Sequence, residues 1–298
     1  MEVSETCPVC NSAEFDQQSR LRDRYSILRC RECRLERISP WMVSELSPHS
    51  SVTAPEYIEG MKNQLERARP WVVRLAKNRL RYYERLLERR PKKILEIGAG
   101  TGWMVKAYQE EGIEAAGVEL DPQLIEYAQS QLGLKLIEAD INLGELSDAG
   151  EFDVVFSSQT VEHIHTPRKA ITNMAKSLRD GGLLHIDVPN ANSWGSRVRR
   201  IRHGRDNWGA ITLPAHQVGY FPESISRLLS DASFEIIEVS ERPTDDHVFG
   251  QTILPVALRS RAAIFASRIL GHGYLLVAIG KKMARATESD WAKRKKVG

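Results

Sequence analysis

One apolar segment that ends in closely spaced glycines constrains the fold of this chain more than any other feature. Residues 93–97 read Lys-Ile-Leu-Glu-Ile, and Gly98, Gly100 and Gly102 follow at every second position. Residues 103–112 then have the character of a helix. The pattern predicts a strand, a tight loop and a helix. Glycine is needed in such a loop because the backbone turns sharply and a ligand must approach without a Cβ in its way.

Acidic residues stand at the ends of the next two predicted strands. Glu119 ends the apolar run at residues 115–118, 21 positions after Gly98. A carboxylate at this place can accept both hydrogens of a ribose diol, as in dinucleotide sites. Asp140 ends the strand predicted at residues 136–140 and suits an adenine amino group. The GxGxG spacing disfavours the pyrophosphate fingerprint GxGxxG, so the pattern favours another adenosyl ligand.

Further segments complete a predicted sheet. The remaining strands are expected at residues 152–156, 183–188, 235–240 and 274–281. A turn is expected at residues 178–182, before the fifth strand. A helix is expected to begin around Phe221, with Glu223 or Ser224 near its cap. Alternation of strands and helices in this order predicts an α/β fold.

The motifs between residues 92 and 192 resemble the class I S-adenosylmethionine-dependent methyltransferases. The resemblance implies an α/β fold with a Rossmann-like seven-stranded sheet whose last strand is antiparallel. It also implies a set of cofactor-binding residues. These are Glu96 near the amino group, Gly98, Ala99, Gly100, Thr101 and Gly102 around the methionine part, Glu119 and Leu120 at the ribose, Asp140 and Ile141 beside the adenine, and Gln159 near the sulfonium.

The C-terminal third resembles a narrower group. Its pattern of His216, Tyr220, Phe221, Ser224, Leu228, Leu229 and Phe234 is similar to that of small-molecule methyltransferases related to the ubiquinone-biosynthesis O-methyltransferases. Some of those relatives can bind a divalent cation through a Glu-Glu-His set, of which Gln159 replaces the first glutamate here. The resemblance is therefore not extended to metal-assisted catalysis.

All four cysteines lie near the start of the chain, as Cys7-x2-Cys10 and Cys30-x2-Cys33. Two such pairs, separated by 19 residues, have the ligand spacing of a tetrahedral zinc ribbon. Such a zinc ion is structural, because four thiolates leave no open coordination position. Two disulfides or four buried free thiols are the alternatives, and a reducing cytoplasm disfavours the disulfides.

These features predict three parts of the chain. Residues 1–42 form a zinc ribbon, residues 43–91 a helical linker or cap, and residues 92–298 the methyltransferase domain. Helical cap insertions are expected at about residues 191–215 and 241–270. No apolar run reaches membrane-spanning length and the first residues do not form a signal peptide, so we expect a cytoplasmic protein.

The formal net charge of +3 conceals a segregation of charge. Residues 62–93 hold twelve basic and three acidic residues, whereas residues 94–192 hold six basic and sixteen acidic ones. In residues 191–215 the arginines suit a phosphate or carboxylate and the two tryptophans suit a sugar or a base, with a solvated amphipathic helix as the alternative. We expect a small-molecule, sugar or glycan acceptor, nucleotide-linked or phosphorylated.

Other partners and functions stay open. An N-terminal four-cysteine module beside this domain resembles both sugar- or polysaccharide-pathway methyltransferases and certain ribosomal-RNA guanine methyltransferases. RNA is therefore the second acceptor class, attracted by the basic residues 65–90. Residues 241–270 are expected to contain a helix, which is interpreted as a lid, a contact with a second copy or a membrane-surface helix, with packing on the domain as the alternative. A non-catalytic module that senses the cofactor or binds a partner is the alternative of another class.

Methyl transfer from a sulfonium is an in-line displacement, so alignment of the reacting atoms is the main task of the protein. A base is needed only if the acceptor loses a proton during attack. Imidazole titrates near neutrality, which makes His163, His216 and His165 the candidates, in that order or with the first two exchanged. For each of them, a structural or exposed histidine is the alternative.

Overall fold

The computed structural model describes residues 5–42, 55–142, 151–204, 208–242 and 272–284, with side chains described from residue 69 onward in the helix that begins at Pro55. The predicted insertion at 241–270 lies outside the described residues except for its first two. In the part of the chain that the structure describes, no helix is long and apolar enough to cross a membrane.

Three short antiparallel strands follow the first cysteine pair. They are β1 (Phe15–Leu21), β2 (Tyr25–Cys30) and β3 (Glu36–Ser39). Each cysteine pair forms a turn, closed by the bonds from Asn11 N to Cys7 O (2.9 Å) and from Arg34 N to Cys30 O (3.0 Å). Both Asn11 and Arg34 have a left-handed backbone, with φ of 62° and 64°. The two turns thereby bring the cysteine pairs to one end of the small sheet.

A long basic helix leads into the main domain. Helix α1 (Pro55–Leu87) begins earlier than the helical stretch predicted from residue 65. Its buried residues Val72, Ala76, Leu80 and Tyr83 recur at helical spacing and pack against the next helix, α2 (Trp103–Glu110). The basic side chains therefore lie mostly on the outer face, because the apolar stripe is buried.

The main sheet has seven strands in the order β10-β11-β8-β7-β4-β5-β6. The strands are β4 (Lys93–Ile97), β5 (Glu114–Glu119), β6 (Ile137–Glu138), β7 (Phe152–Ser158), β8 (Leu178–Pro189), β10 (Phe234–Arg242) and β11 (Leu275–Lys282). The connecting helices are α2, α3 (Pro122–Leu132), α4 (Pro167–Ser177), α5 (Trp194–His203) and α6 (Pro222–Asp231). Strand β11 is antiparallel to both of its neighbours. The predicted Rossmann-like α/β sheet with an antiparallel last strand is confirmed.

Two elements of the sheet differ from the sequence prediction. The turn expected at residues 178–182 lies inside β8, where Phe152 pairs with Leu178 and Val154 pairs with Leu183. The residues between these two pairings form a bulge, because strand pairing with β7 resumes after it. The strand expected at residues 136–140 shrinks to the two residues of β6, which among the described residues lies at the edge of the sheet and pairs only with β5.

One carboxylate fixes the amino-terminal edge of this sheet. Asp153, near the start of β7, accepts hydrogen bonds from Arg89, from the backbone N–H of Lys93 (3.0 Å) and from that of Lys92, and it forms an ion pair with Arg179. Burial raises the pKa of Asp153, but these donors outweigh burial and lower the pKa to about 2. The charged form is therefore the one that stabilises the fold.

We expect Asp153→Asn to lower the free energy of unfolding at neutral pH by about 2 kcal/mol. A depressed pKa in the folded state stabilises the fold above the pKa of the unfolded state, so the difference from wild type shrinks as the pH falls from about 4 towards about 2. Urea unfolding across this range measures it. Asp180→Asn is the control, because Asp180 is half-exposed and 3.8 Å from Lys282. A constant difference at all pH values contradicts the prediction.

Candidate functional site

The glycine loop turns at the carboxyl end of β4. Gly98, Gly100 and Gly102 have φ of 74°, 55° and 79°, a left-handed conformation that favours glycine. The N–H of Gly98 donates to Val118 O (2.9 Å), which ties the loop to β5. A Cβ at Gly98 would lie 2.2 Å from Thr160 Oγ1. Gly98 is thus required both for its conformation and for this close approach.

Glu119 closes the loop from the end of β5. One carboxylate oxygen accepts from Gly100 N (2.6 Å), and the other accepts from Leu120 N (2.7 Å) and Asp121 N (3.0 Å). These backbone donors fix the orientation of the carboxylate. A carboxylate offers about four acceptor sites, so Glu119 can still accept from a bound hydroxyl group.

Glu96, near the end of β4, has a carboxyl oxygen close to the glycine loop that is without a hydrogen-bond partner in the part of the chain that the structure describes. Its side chain is buried, and Oε2 has no hydrogen-bond partner among the described residues. Burial raises the pKa of Glu96 to about 8, although the nearby Arg79 lowers it. A buried carboxyl group without a donor is costly, so the arrangement favours a ligand that brings a cation or a donor to this oxygen.

Arg79 of α1 is a site residue that the sequence analysis missed. Its guanidinium is buried, pairs with Asp187 of β8 (2.9 Å) and lies 4.0 Å from the centroid of the Phe156 ring. Arg79 lies beside Leu80 and three residues after Ala76 in the buried stripe of α1. A basic residue next to an apolar helical stripe is the signal that could have identified it.

A buried polar chain supports Arg79. The Tyr83 hydroxyl donates to His185 Nδ1 (2.6 Å), and His185 Nε2–H donates to Asp187 Oδ1 (2.8 Å). Burial lowers the pKa of His185, which keeps the imidazole neutral with one donor and one acceptor nitrogen. The chain orients the carboxylate of Asp187 towards Arg79.

The remaining predicted cofactor residues follow neighbouring strands. Asp140 Oδ1 accepts from Asn142 N (2.8 Å), and Ile141 is buried beside it after β6. Gln159 follows β7 with φ of 52°, and its Nε2 is buried without a partner among the described residues. Ala99 and Thr101 are buried within the loop. The structure brings all of these residues to the carboxyl ends of parallel strands, where α/β sheets bind ligands.

Two of the predicted histidines form a pair. His163, in a single 3-10 turn after β7, and His216 contact each other edge to face with ring centroids 4.6 Å apart. His163 Nδ1–H donates to Ala215 O (3.0 Å), and His216 Nδ1–H donates to Ala210 O (3.3 Å). Burial lowers the pKa of both, to about 3 for His216. Both rings are therefore neutral near pH 7 with Nε2 as the acceptor nitrogen, and His216 Nε2 lies 4.0 Å from Glu162 Oε1.

Glu162 lies next to this pair, whereas His165 contacts a different ring. Glu162 is buried, neither carboxylate oxygen has a hydrogen-bond partner in the described chain, and burial raises its pKa to about 8. Glu162, His163 and His216 hold one potential metal ligand each within 4.8 Å of the others, so the three can hold a cation. His165 packs edge to face on Trp41 at 5.5 Å.

The four cysteines converge at the end of the N-terminal sheet. Cys7 Sγ lies 3.5 Å from Cys33 Sγ, and Cys10 Sγ lies 3.4 Å from Cys30 Sγ, distances that exceed a disulfide bond. All four sulfur atoms lie within 4.8 Å of one another. Four converging thiols, three of them buried, fit a tetrahedral metal ion.

Comparison with known proteins gives a consistent family. The family model described as "Methyltransferase domain" matches residues 65–239. The ubiquinone biosynthesis O-methyltransferase of Coxiella burnetii (strain RSA 493 / Nine Mile phase I) is 30% identical over 119 residues, which are 38% of this chain and 50% of that protein. The protein of the same name from Idiomarina loihiensis is 28% identical over 156 residues, 50% of this chain and 64% of that protein. The chain thus spans between half and two thirds of the length of these relatives.

A solved structure with a similar fold is that of the plantazolicin methyltransferase BpumL in complex with SAH. It covers 81% of this chain and 96% of its own, with a TM-score of 0.56 and 16% sequence identity. At this identity the similarity concerns the fold alone.

We expect Gly98→Ala to destabilise the protein by about 2–4 kcal/mol, because a Cβ adds both backbone strain and a clash with Thr160. In a Thr160→Ala background the cost falls by about 1–2 kcal/mol, since part of the clash is removed. Urea unfolding of the four proteins of this cycle measures the coupling. The matched control is Gly112→Ala, which has a similar φ of 78° but no atom within 4 Å of the added Cβ. Additive effects at Gly98 and Thr160 contradict the clash.

Proposed function

The chain belongs to the methyltransferase-domain family, and from this premise we propose that it transfers a methyl group from S-adenosylmethionine to a small, anionic, glycan-like acceptor. One observation carries the proposal: a single edge of the sheet brings together the glycine loop, Glu96, Glu119 and the His163–His216 pair. When bound, S-adenosylmethionine supplies an electrophilic methyl group on its sulfonium. The protein then has to hold the cofactor and the acceptor in line.

The chain's own residues offer a complementary group for each part of the cofactor. Gly98–Gly102 would hold the methionine part, and the unpartnered Oε2 of Glu96 would accept from its ammonium group. Glu119, fixed by backbone donors, would accept from the ribose diol. Asp140 and Ile141 would flank the adenine, and Gln159, directly after β7, would lie near the sulfonium.

The predicted role of Glu96 has a consequence for the pH dependence of binding. The pKa of Glu96 is raised to about 8 in the free protein, so the side chain is largely protonated at neutral pH. An ammonium group beside it favours the carboxylate and releases a proton. We expect the affinity for S-adenosylhomocysteine to rise with pH up to about 8, by at most about tenfold per pH unit.

Titration calorimetry in buffers of different ionisation enthalpy measures this proton release. Glu96→Gln should bind more weakly and lose the pH dependence, whereas Glu138→Gln, an exposed residue of β6, should retain both affinity and pH dependence. The role of Glu96 is excluded if wild type and Glu96→Gln respond to pH in the same way.

The four cysteines are proposed to hold one zinc ion. The convergence of four thiols within 4.8 Å and their burial support this assignment. Their thiolates occupy every position of a tetrahedral ion, so the metal ion contributes to folding and leaves the methyl group untouched.

The anionic nature of the acceptor is supported by an arginine beside the histidine pair. Arg199 of α5 donates to Gly209 O (2.7 Å), and its positive charge adds to burial and to the neighbouring His163 in lowering the pKa of His216. No carboxylate of the described residues forms an ion pair with Arg199, in contrast to Arg200, which pairs with Glu36. A cation without an acidic partner next to the reactive groups suits a phosphate or carboxylate of the acceptor.

The basic surface of α1 gives less support to RNA as the acceptor. Acidic side chains of α1, of α2 and of the loop after α2 pair with several of its cations. These pairs are Arg69 with Glu110, Lys77 with Glu111, and Arg90, just beyond α1, with Glu84. A surface that carries its own counter-charges attracts a polyanion less strongly.

His163 and His216 are the proposed bases, and His163 is the stronger candidate because burial lowers the pKa of His216 to about 3, which makes it a weak base. Each ring directs Nδ1 to a backbone carbonyl, which leaves Nε2 as the nitrogen that accepts a proton from the acceptor. His165 is the third candidate, although its ring packs on Trp41. General base catalysis contributes about 100-fold to 10,000-fold to a rate, which sets the expected effect of its loss.

Incorporation of tritiated methyl into cell extracts tests the whole proposal. Label should enter the polar metabolite and oligosaccharide fraction, and His163→Asn should reduce it about 100-fold or more, with a smaller reduction for His216→Asn. Both variants should keep the affinity for S-adenosylhomocysteine. The control is His203→Asn, at the exposed end of α5.

Three results would contradict different parts of this proposal. Label confined to RNA reverses the acceptor class. Unchanged labelling in both histidine variants removes the base. Absence of cofactor binding at millimolar concentration leaves a non-catalytic partner-binding module.

A further inference from the structure

The N-terminal sheet continues into the methyltransferase domain. Its fourth strand is β9 (Val218–Gly219), which pairs antiparallel with β3. The N–H of Ile38 also donates to Gln217 O (3.1 Å), and the N–H of Met42 donates to Gln217 Oε1 (3.0 Å). The residues that directly follow His216 are therefore a strand of the cysteine-containing sheet.

A fully buried carboxylate forms the second link. Glu36 of β3 accepts from Arg29 Nη2 (2.6 Å) within the N-terminal sheet. Its other oxygen accepts from Arg200 Nη2 (2.9 Å) and from Trp208 Nε1 (3.1 Å), two residues of the segment that follows β8. A buried carboxylate is tolerated only when it is paired and hydrogen-bonded, so these three donors are held together by their common acceptor.

The segment between these two links fixes the histidine pair. We name residues 208–216 the histidine loop, because Ala210 O and Ala215 O in it accept from His216 Nδ1 and His163 Nδ1. Within the loop, Trp208 pairs with Ile211 and Thr212 pairs with His216 through backbone hydrogen bonds. One end is held by Glu36 through Trp208, and the other end is held by β3 through β9.

We propose that Glu36 is a positioning residue for methyl transfer: it holds the histidine loop, and thereby the rings of His163 and His216, against the N-terminal sheet. The proposal rests on the function proposed above for these histidines. It makes the cysteine-containing sheet one side of the acceptor site, whereas the cofactor loop at Gly98–Gly102 is hydrogen-bonded to β5.

A second ion pair across the same boundary provides a matched control. Arg34 pairs with Glu223 of α6 at 3.0 Å, but both side chains are about half-exposed, 47% and 48%. This pair joins the N-terminal sheet to α6 and does not contact the histidine loop. Exposed pairs of this kind contribute little, so Glu223→Gln should behave as wild type.

The experiment compares wild type, Glu36→Gln, Arg200→Gln and Glu223→Gln in the full chain. Five quantities are measured. They are zinc content, affinity for S-adenosylhomocysteine, hydrogen exchange of residues 208–220, the imidazole NMR signals of His163 and His216, and methyl incorporation into the polar extract. Glu36→Gln and Arg200→Gln should keep one zinc ion per chain and keep their cofactor affinity within about twofold.

In the same two variants, exchange of the histidine loop should rise about tenfold or more, both imidazole signals should shift, and methyl incorporation should fall about tenfold or more. Wild-type exchange and imidazole signals in both variants overturn the proposal, as does a Glu223→Gln protein that shows the same losses. If Glu36→Gln loses zinc, the results for Arg200→Gln decide whether the proposal holds, because this substitution leaves the residues of the N-terminal sheet unchanged. Exchange and imidazole signals need no acceptor, so they test Glu36 even where labelling of wild type fails.

Discussion

The parallel pairing of β4 with β5 and β7, and of β7 with β8, is the constraint on which the rest of the site depends. Parallel strands need crossover connections, so their carboxyl ends all open at one edge and their loops meet there. The glycine loop follows β4, Gln159 follows β7, and Glu119 is the last residue of β5. Their proximity is a consequence of the strand order, although they are far apart in the chain.

The buried carboxyl groups fall into two classes, those with hydrogen-bond donors around them and those of the site, which have oxygens without such a donor among the described residues. Glu36 and Asp153 are buried with several donors each, and donors lower the pKa of Asp153 despite its burial. Glu96 and Glu162 are buried with unpartnered oxygens, and burial raises the pKa of both to about 8. Groups whose pKa is raised in this way gather at the carboxyl edge, where a ligand can supply the missing partner.

Much of the fold and part of the site follow from local patterns. About thirty neighbouring residues encode the strand, loop and helix around Gly98 and the acid at Glu119. Local sequence suffices for them because it determines the conformation of the glycines and the ends of the strands. The turn at residues 178–182 and the short strand β6 were predicted less well. Whether a turn ends a strand or bulges from it depends on pairing with β7, which lies outside the local sequence.

The sequence by itself determined the glycine loop, the acids at the strand ends and the four-cysteine spacing, because these depend on backbone conformation and on contacts close in the chain. Only the tertiary structure decided that Arg79 is buried against Asp187, that β3 pairs with β9 and that Glu36 binds Arg200. These contacts join residues more than a hundred positions apart in the chain. Their partners are selected by packing of the whole chain, which no local pattern records.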